Sequence, residues 1–306
     1  MQRILIFTII TFVWICTFAQ DKYETYWKEG VIKVRVISYN IFNGFDNGKD
    51  TDREDRFVKW IVEKDPEIMM LQELCGFTQA KLEKLARKWG HNYATIVKEN
   101  GYPVGITSKK PLNIKAKLVK GYGHGLLHVE TYGLNILTTH LNPNDTDKRR
   151  EEAHNVIKYI RDNNLSNVVL AGDMNSHSPF DLDYLENIST ELTAKYGGKT
   201  SKNLLNGKID YSVIATYLSY PLIDACALYT TLEQRFSYPT PILYSITKNR
   251  IIRAKTNERL DYIFVTPDMR NKVVDGFIWN GEETEYLSDH FPVAIDLMLT
   301  KQDLQK

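Results

Sequence analysis

The sequence predicts an α/β protein in which mixed β-sheets stack in two layers with helices outside. Three observations carry this. Strand-like and helix-like segments alternate early in the chain. From Tyr93 to Thr139, strand-like segments then follow one another with no helix between them, which argues against a plain doubly wound parallel sheet. No repeat, low-complexity tract or Pro/Gly/Ser linker divides the 306 residues, so one large domain is expected.

The elements follow in order. Lys33-Val34-Arg35-Val36-Ile37-Ser38-Tyr39 alternates as a strand does. Residues 52–64 place Phe57, Trp60 and Ile61 at helical spacing before Pro66, and residues 67–71 are a short apolar strand. Thr78 reads as an N-cap for Leu82, Leu85, Ala86 and Trp89, with Gly90 as the stop. Strands are expected at residues 93–97, 104–107, 126–130 and 134–139. Residues 145–162 form a helix with Ala153, Val156, Ile157 and Ile160 inward. Further strands are expected at residues 168–171, 260–265, 273–278 and 292–299. Residues 179–257 are the least readable, rich in Tyr and Pro around Phe236-Ser237-Tyr238-Pro239, and are expected to hold long loops.

The N-terminus differs from the rest. Met1-Gln2-Arg3 carries one positive charge, and residues 4–19 are almost wholly apolar. This reads as a secretory signal peptide over residues 1–20, followed by a lead-in over 21–32 and the domain over 33–300. An uncleaved anchor is the alternative, but the run is short for a span of about 20 residues. Cys16 would suit a lipoprotein, although Ile15 before it is bulky for one. An exported protein, periplasmic or extracellular, is therefore expected. Cys75 and Cys226 remain after cleavage; both sit in apolar stretches, which favours buried thiols over a bridge. Of 39 basic residues only Arg3 leaves with the leader, so 38 basic face 38 acidic residues. That balance gives no overall pull toward nucleic acid.

Polar groups recur at strand ends. In Val168-Val169-Leu170-Ala171-Gly172-Asp173-Met174-Asn175, a core strand ends in a carboxylate and an amide two residues apart. In extended chain such residues face one side. Gly172 permits close approach by backbone or ligand. The segment also suits a plain turn. Asn40 ends the first strand, and would equally make a turn with Asn43-Gly44. Gln72-Glu73 ends the second, His140 follows Ile136 to Thr139, Asp261 lies inside an apolar strand, and Ser288-Asp289-His290 precedes the last strand. Asp261 would be costly there unless paired with a cation or metal. Acids, amides and histidines converging in this way would make a hard-cation site with acid/base groups beside it.

The segments Ser-Tyr-Asn-Ile at 38–41, Leu-Gln-Glu at 71–73, Thr-His-Leu at 139–141, Gly-Asp-Met-Asn at 172–175, Arg-Leu-Asp-Tyr-Ile at 259–263 and Ser-Asp-His at 288–290 resemble, in order, the motifs of the endonuclease/exonuclease/phosphatase superfamily. The resemblance implies a four-layer sandwich of two mixed β-sheets flanked by helices. It also implies a Mg²⁺- or Mn²⁺-dependent phosphoester hydrolase. Carried over by position, it makes Glu73 the principal metal ligand, with Asn40 and Asp289 nearby. Asp173 would activate the attacking water and Asn175 would donate to a phosphate oxygen. His290, steered by Asp261, would stabilise or protonate the phosphoryl group, and His140 would contact the phosphate or leaving group.

A phosphodiesterase is expected first, with nucleic acid, phospholipid or a small phosphoester as substrate. A phosphomonoesterase with the same centre and a binding protein without turnover are the alternatives. No stable protein partner is implied, and a monomer is expected. Lys109-Lys110 and Lys148-Arg149-Arg150 are candidates for phosphate contacts or for solvated surface. Phe236-Ser237-Tyr238 and Tyr217-Leu218-Ser219-Tyr220 are candidates for a lipid-facing hairpin or for core. His124, after Gly121-Tyr122-Gly123, and His177, after Asn175, are candidate substrate-side residues.

Overall fold

The structure is a computed structural model and describes residues 30–196, 203–246 and 256–305. The expected signal peptide and most of the lead-in lie outside the described residues. Among those described, no helix is long and apolar enough to cross a membrane.

Two six-stranded mixed sheets form the molecule. The first contains β1 (Ile32–Asn40), β2 (Ile68–Gln72), β3 (Tyr93–Ile96), β4 (Gly105–Ser108), β13 (Val273–Ile278) and β14 (Val293–Leu299), in the order β13-β14-β1-β2-β4-β3. The second contains β5 (Asn113–Leu118), β6 (Leu126–Thr131), β7 (Leu134–His140), β8 (Val168–Asp173), β11 (Ile223–Asp224) and β12 (Asp261–Val265), in the order β11-β12-β8-β7-β6-β5. A hairpin, β9 (Leu204–Leu205) with β10 (Lys208–Ile209), stands apart.

Each large sheet has one parallel pair at its centre. In the first it is β1 with β2, ending at Asn40 opposite Gln72; in the second it is β7 with β8, ending at His140 opposite Asp173. β12 runs antiparallel to β8 and begins at Asp261, opposite Asp173. β14 runs antiparallel to β1, so the chain just before it returns to the end where β1 stops. Every polar segment singled out in the sequence therefore comes to one end of the sandwich. The strands themselves are near-continuous apolar runs because both faces are covered.

The inter-sheet core holds Val34, Val36, Met70, Ile136, Ala171, Ile263 and Ile295, all fully buried. Outside the first sheet pack α1 (Thr51–Lys64) and α2 (Gln79–Arg87), through Phe57, Ile61 and Leu82. Asp50 caps α1 by accepting from Arg53 N, and Thr78 caps α2 by accepting from Lys81 N. Outside the second sheet lies α3 (Thr146–Asp162), packed through Ala153, Val156 and Ile160. The four layers match the expectation.

Residues 179–257 differ from expectation. Their described parts hold α4 (Leu182–Asn187), α5 (Ser189–Tyr196), α6 (Ser212–Ser219) and α7 (Pro241–Ile246), besides β9, β10 and β11. Leu185, Leu192 and Ile209 give this region a small core of its own. Tyr217 is fully buried against Phe264, and Phe236 packs on Phe291, so neither forms a lipid-facing hairpin. Cys75 and Cys226 are free and buried, as expected.

Candidate active site

The ends of the two parallel pairs are tied together before any functional side chain is placed. Gln72 Nε2 donates to Ser38 Oγ at 3.1 Å on its own sheet and to Thr138 Oγ1 at 3.2 Å across the sandwich. Gly172 lets β8 lie against β7: a Cβ there would stand 1.8 Å from the Thr139 carbonyl oxygen. The close approach that Gly172 permits is thus to neighbouring backbone.

The chain turns sharply where each parallel pair ends. Glu73, directly after β2, is left-handed at φ 59°, and Cys75 N–H donates to its carbonyl at 2.7 Å. Asn175, just beyond β8, is left-handed at φ 48°. Asn enters that region readily, whereas Glu does so at a cost of about 1–3 kcal/mol. After β1, Phe42–Gly48 coils as a left-handed turn instead of the tight turn expected at Asn43-Gly44. It aims Asn43 N–H at Glu73 Oε2, 2.7 Å away.

Asp173 is the meeting point. Its Oδ1 accepts from Asn175 N–H at 2.9 Å. Its Oδ2 accepts from Asn40 Nδ2 at 3.1 Å, and lies 3.4 Å from His140 Nε2 and 3.6 Å from His290 Nε2. Asn40 Nδ2 also reaches Glu73 Oε1 at 3.3 Å, so its amide joins an acid of one sheet to an acid of the other. Asn40 Oδ1 accepts from Phe42 N–H at 3.1 Å.

His290 Nδ1 and Asp261 Oδ2 are 2.7 Å apart. Ser237 Oγ accepts from both Leu260 N–H and Asp261 N–H at 3.0 Å, which fixes the start of β12. Phe291 N–H donates to Ser237 O at 2.7 Å, so one loop positions both members of the pair. Ser288 Oγ donates to Asn40 O at 2.5 Å and seats Asp289 beside the end of β1. Beneath these, Arg259 is buried between Asp181 and Asp224, each at 2.8 Å, and anchors Asp261's neighbourhood.

The two histidines on Asp173 differ in charge. Burial lowers the His140 pKa to about 4, so its ring is neutral near pH 7. Burial opposes charge on His290 too, but Asp261, Asp173 and Asp289 together raise its pKa well above the ordinary value. Burial, with Glu73 and Asp173 nearby, pushes Asp289 up to about 7.

These charges bear on whether a metal suits the site. Asp173, Asp261 and Asp289 are buried and Glu73 is half-buried, yet among the described residues their sole ionic partners are the two histidines. Carboxylates crowded against one imidazolium form a donor set that a hard divalent cation satisfies. One compact grouping is available among the described residues. Asp173, Asp261 and His290 offer ligand atoms within 4.8 Å of one another, but the imidazolium already occupies that triad. Glu73 and Asp289 make no direct ion pair among the described residues and interact electrostatically with each other, so they are further oxygen donors for a cation.

The structure thus brings together Asn40, Glu73, His140, Asp173, Asn175, Asp261, Asp289 and His290. His124 joins them, its ring centroid 4.5 Å from that of His140. His177 does not: its Nε2 is 2.7 Å from Glu258 Oε2, in a buried group with Lys195, so its imidazole is committed to the fold. The basic segments are likewise spent, except for Lys148, which is exposed and 3.8 Å from Asp145. Lys109 pairs with Asp65 and Glu67 at the opposite end of β4 and β2, Lys110 lies over Tyr132, and Arg150 pairs with Asp147 and Asp210. Arg149 is fully buried. Sequence reasoning missed Ser237 as a support for Asp261, and Tyr238, whose ring lies 4.8 Å from that of His290. A hydroxyl beside an aromatic in an unreadable loop offered no signal for either.

Comparisons with known proteins bear on the family and the fold. Residues 37–290 match the model of the Endonuclease/Exonuclease/phosphatase family. An AP endonuclease from Archaeoglobus fulgidus superposes with a TM-score of 0.62 at 16% identity, over 88% of this chain and 99% of that one. A 3'-5' exonuclease from Neisseria meningitidis gives 0.61 at 17%, over 86% and 99%. A D. rerio TDP2 humanised by 14 mutations gives 0.54 at 17%, over 88% and 99%. At such identities these structures attest the fold alone. No curated protein sequence matches. With its two sheets, its polar strand ends and a family match spanning most of its length, the chain belongs to the endonuclease/exonuclease/phosphatase family of phosphoester hydrolases.

Proposed function

We propose that the chain is an exported phosphodiesterase, dependent on Mg²⁺ or Mn²⁺, in which water attacks phosphorus directly. The arrangement around Asp173 carries this reading. One carboxylate is held by a backbone N–H and faces a neutral imidazole and an imidazolium from opposite sides of the sandwich end. Asp173 takes the proton of the attacking water. His290, fixed through Nδ1 by Asp261, presents positive charge where a phosphoryl oxygen becomes more negative. His140 and the second N–H of the Asn175 amide, whose Nδ2 also donates to Leu141 O, supply neutral donors to the same group. Glu73 and Asp289, with Asn40 beside them, are the residues that would hold the cation. Bound there, it supplies Lewis-acid charge to a phosphoryl or leaving oxygen.

A diester is favoured over a monoester by charge. A monoester near neutral pH is close to a dianion, and a diester is a monoanion. Among the described residues, His290 is the cationic side chain that faces Asp173; Lys98 lies at the rim, donating to Gly123 O beside His124, and Lys109, Lys110, Arg149 and Arg150 are engaged elsewhere. Nucleic acid is the first diester to try, because two structural relatives are named as nucleases. Export rests on the apolar run at residues 4–19.

Supercoiled plasmid, bis(p-nitrophenyl) phosphate and p-nitrophenyl phosphate, each with Mg²⁺ and with EDTA, test the reading. The expectation is EDTA-sensitive cleavage of a diester at a rate well above the monoester. Faster cleavage of the monoester would replace this proposal with a phosphomonoesterase.

A further inference from the structure

We infer that Glu152 of α3 is a positioning residue that sets His124 and His140 as one unit; this rests on the reading that His140 serves the phosphoryl group. Glu152 is 6% exposed, and its two carboxylate oxygens are divided between two loops. Oε1 accepts from Gly123 N–H at 2.7 Å, one residue before His124. Oε2 accepts from Asn142 N–H at 2.8 Å, two residues after His140. A carboxylate is acceptor-only and has two such oxygens, so it can hold two backbone donors at once.

Its neighbours on the helix act in the same direction. Arg149 Nη1 donates to Asn142 O at 2.8 Å, and Asn155 Nδ2 donates to Gly121 O at 3.2 Å. Residues 149, 152 and 155 recur every three positions, so one stripe of α3 grips both loops. From the other side, Leu141 N–H donates to Asp173 O at 2.9 Å, and Asn175 Nδ2 donates to Leu141 O at 3.1 Å. Thr139 Oγ1 donates to Gly125 O at 3.0 Å, beyond His124. The backbone on both sides of each histidine is thereby fixed.

The two rings so placed are 4.5 Å apart between centroids and meet at 41°. Neither His140 Nδ1 nor His124 Nε2 has a hydrogen-bond partner among the described residues, and both atoms are buried. Their side chains are oriented by backbone placement and ring contact. Beyond that, among the described residues, His140 has only its Nε2, 3.4 Å from Asp173 Oδ2, and His124 only the Tyr102 ring, 5.4 Å away between centroids, so a shift of either loop moves an imidazole. Misplacement of this kind reduces turnover by roughly 10- to 100-fold.

The test compares Glu152→Gln, Glu152→Ala and Gly123→Ala. The amide of Gln keeps one acceptor and turns an NH₂ toward the other N–H, so one loop is released; Ala releases both. Gly123→Ala keeps the Glu152 carboxylate, but its Cβ would come 2.9 Å from Glu152 Oε1, displacing that oxygen and disturbing the His124 side first. Side-chain imidazole resonances and thermal melts are recorded for each, with kcat and KM for a diester. Positioning predicts shifted His124 and His140 resonances, unshifted His91 and His128, a kcat lowered 10-fold or more, and KM within threefold. Gly123→Ala shifts His124 more than His140. A lower melting temperature with unmoved His124 and His140 signals would overturn the inference and leave Glu152 as a helix tether. Moved signals with unchanged kcat would keep the positioning and remove the role of His140 in turnover. Should Glu152→Ala fail to fold, Glu152→Gln and Gly123→Ala still decide the matter.

Discussion

The two sheets end alike and are equipped differently. Each stops a central parallel pair at the same end of the sandwich, Asn40 and Gln72 in one and His140 and Asp173 in the other. The β1–β2 side brings oxygen acids, Glu73 and Asp289, set by a left-handed residue and the Ser288 hydroxyl. The β7–β8 side brings proton chemistry, with His140 on Asp173 and Asp261 at the start of β12, and His290, from the lead-in to β14 of the first sheet, reaches over to pair with Asp261. Asn40 crosses the seam by donating to Glu73 and to Asp173. The difference teaches that a symmetric scaffold supplies two anchoring points, and the residue after each strand decides what each point does. In our reading one half holds a cation and the other moves a proton.

Breaking the proton half outright has the largest expected effect. Asp173→Asn keeps the shape, removes the base and should lower kcat by roughly 10³-fold, measured as steady-state diester hydrolysis. Asp261→Asn comes next. It takes the carboxylate from His290 Nδ1, and should lower kcat by about 10²-fold with KM little changed. An Asp261→Asn enzyme with wild-type kcat would show that His290 works without its steering partner.

The scaffold itself gives the third prediction. Gly172→Ala forces a Cβ against the Thr139 carbonyl, 1.8 Å away, and prises β8 from β7. A loss of about 3 kcal/mol or more is expected, which is about 5 °C or more in Tm by calorimetry. An unchanged Tm would mean that the two strands are not held as tightly as the comparison requires.

The smallest effect concerns pH. His140 has a folded pKa of about 4 against an ordinary 6.5. Between those values the unfolded chain binds a proton there that the folded chain does not, so stability falls as pH falls through that window. His140→Gln should remove on the order of 2 kcal/mol of the loss between pH 7.5 and 4.5, read from urea unfolding at each pH. A variant with the same pH slope as wild type would place the neutral histidine elsewhere.

Much of this was legible in the sequence because strands buried on both faces read as unbroken apolar runs. The polar residue that stops each run, Asn40, Glu73, His140 or Asp173, then stands out. β5, a largely exposed edge strand, was missed although Ile114, Ala116 and Leu118 alternate with Asn113, Lys115 and Lys117. The hairpin at Leu204-Leu205-Asn206-Gly207-Lys208-Ile209 was missed although Asn206 and Gly207 are a strong hairpin signal, with φ of 53° and 75°. Its strands are two residues each, too short for an alternation to show. Arg149, set among charges, reads as solvated or phosphate-facing. Its spacing to Ala153, Val156 and Ile160 places it on the inner face of α3, where it is fully buried. His177 misled because a histidine just past the Asp173–Asn175 pair looks like part of it, and only the fold shows Glu258 beside it.

The most direct test is a Mg²⁺ titration of bis(p-nitrophenyl) phosphate hydrolysis by the wild type, Glu73→Gln and Asp173→Asn. The account predicts a wild-type rate that saturates with Mg²⁺, a Glu73→Gln curve displaced to about tenfold higher Mg²⁺ or more, and an Asp173→Asn rate that stays low at every concentration. A wild-type rate independent of Mg²⁺, or the displaced curve appearing in Asp173→Asn instead of Glu73→Gln, would contradict it.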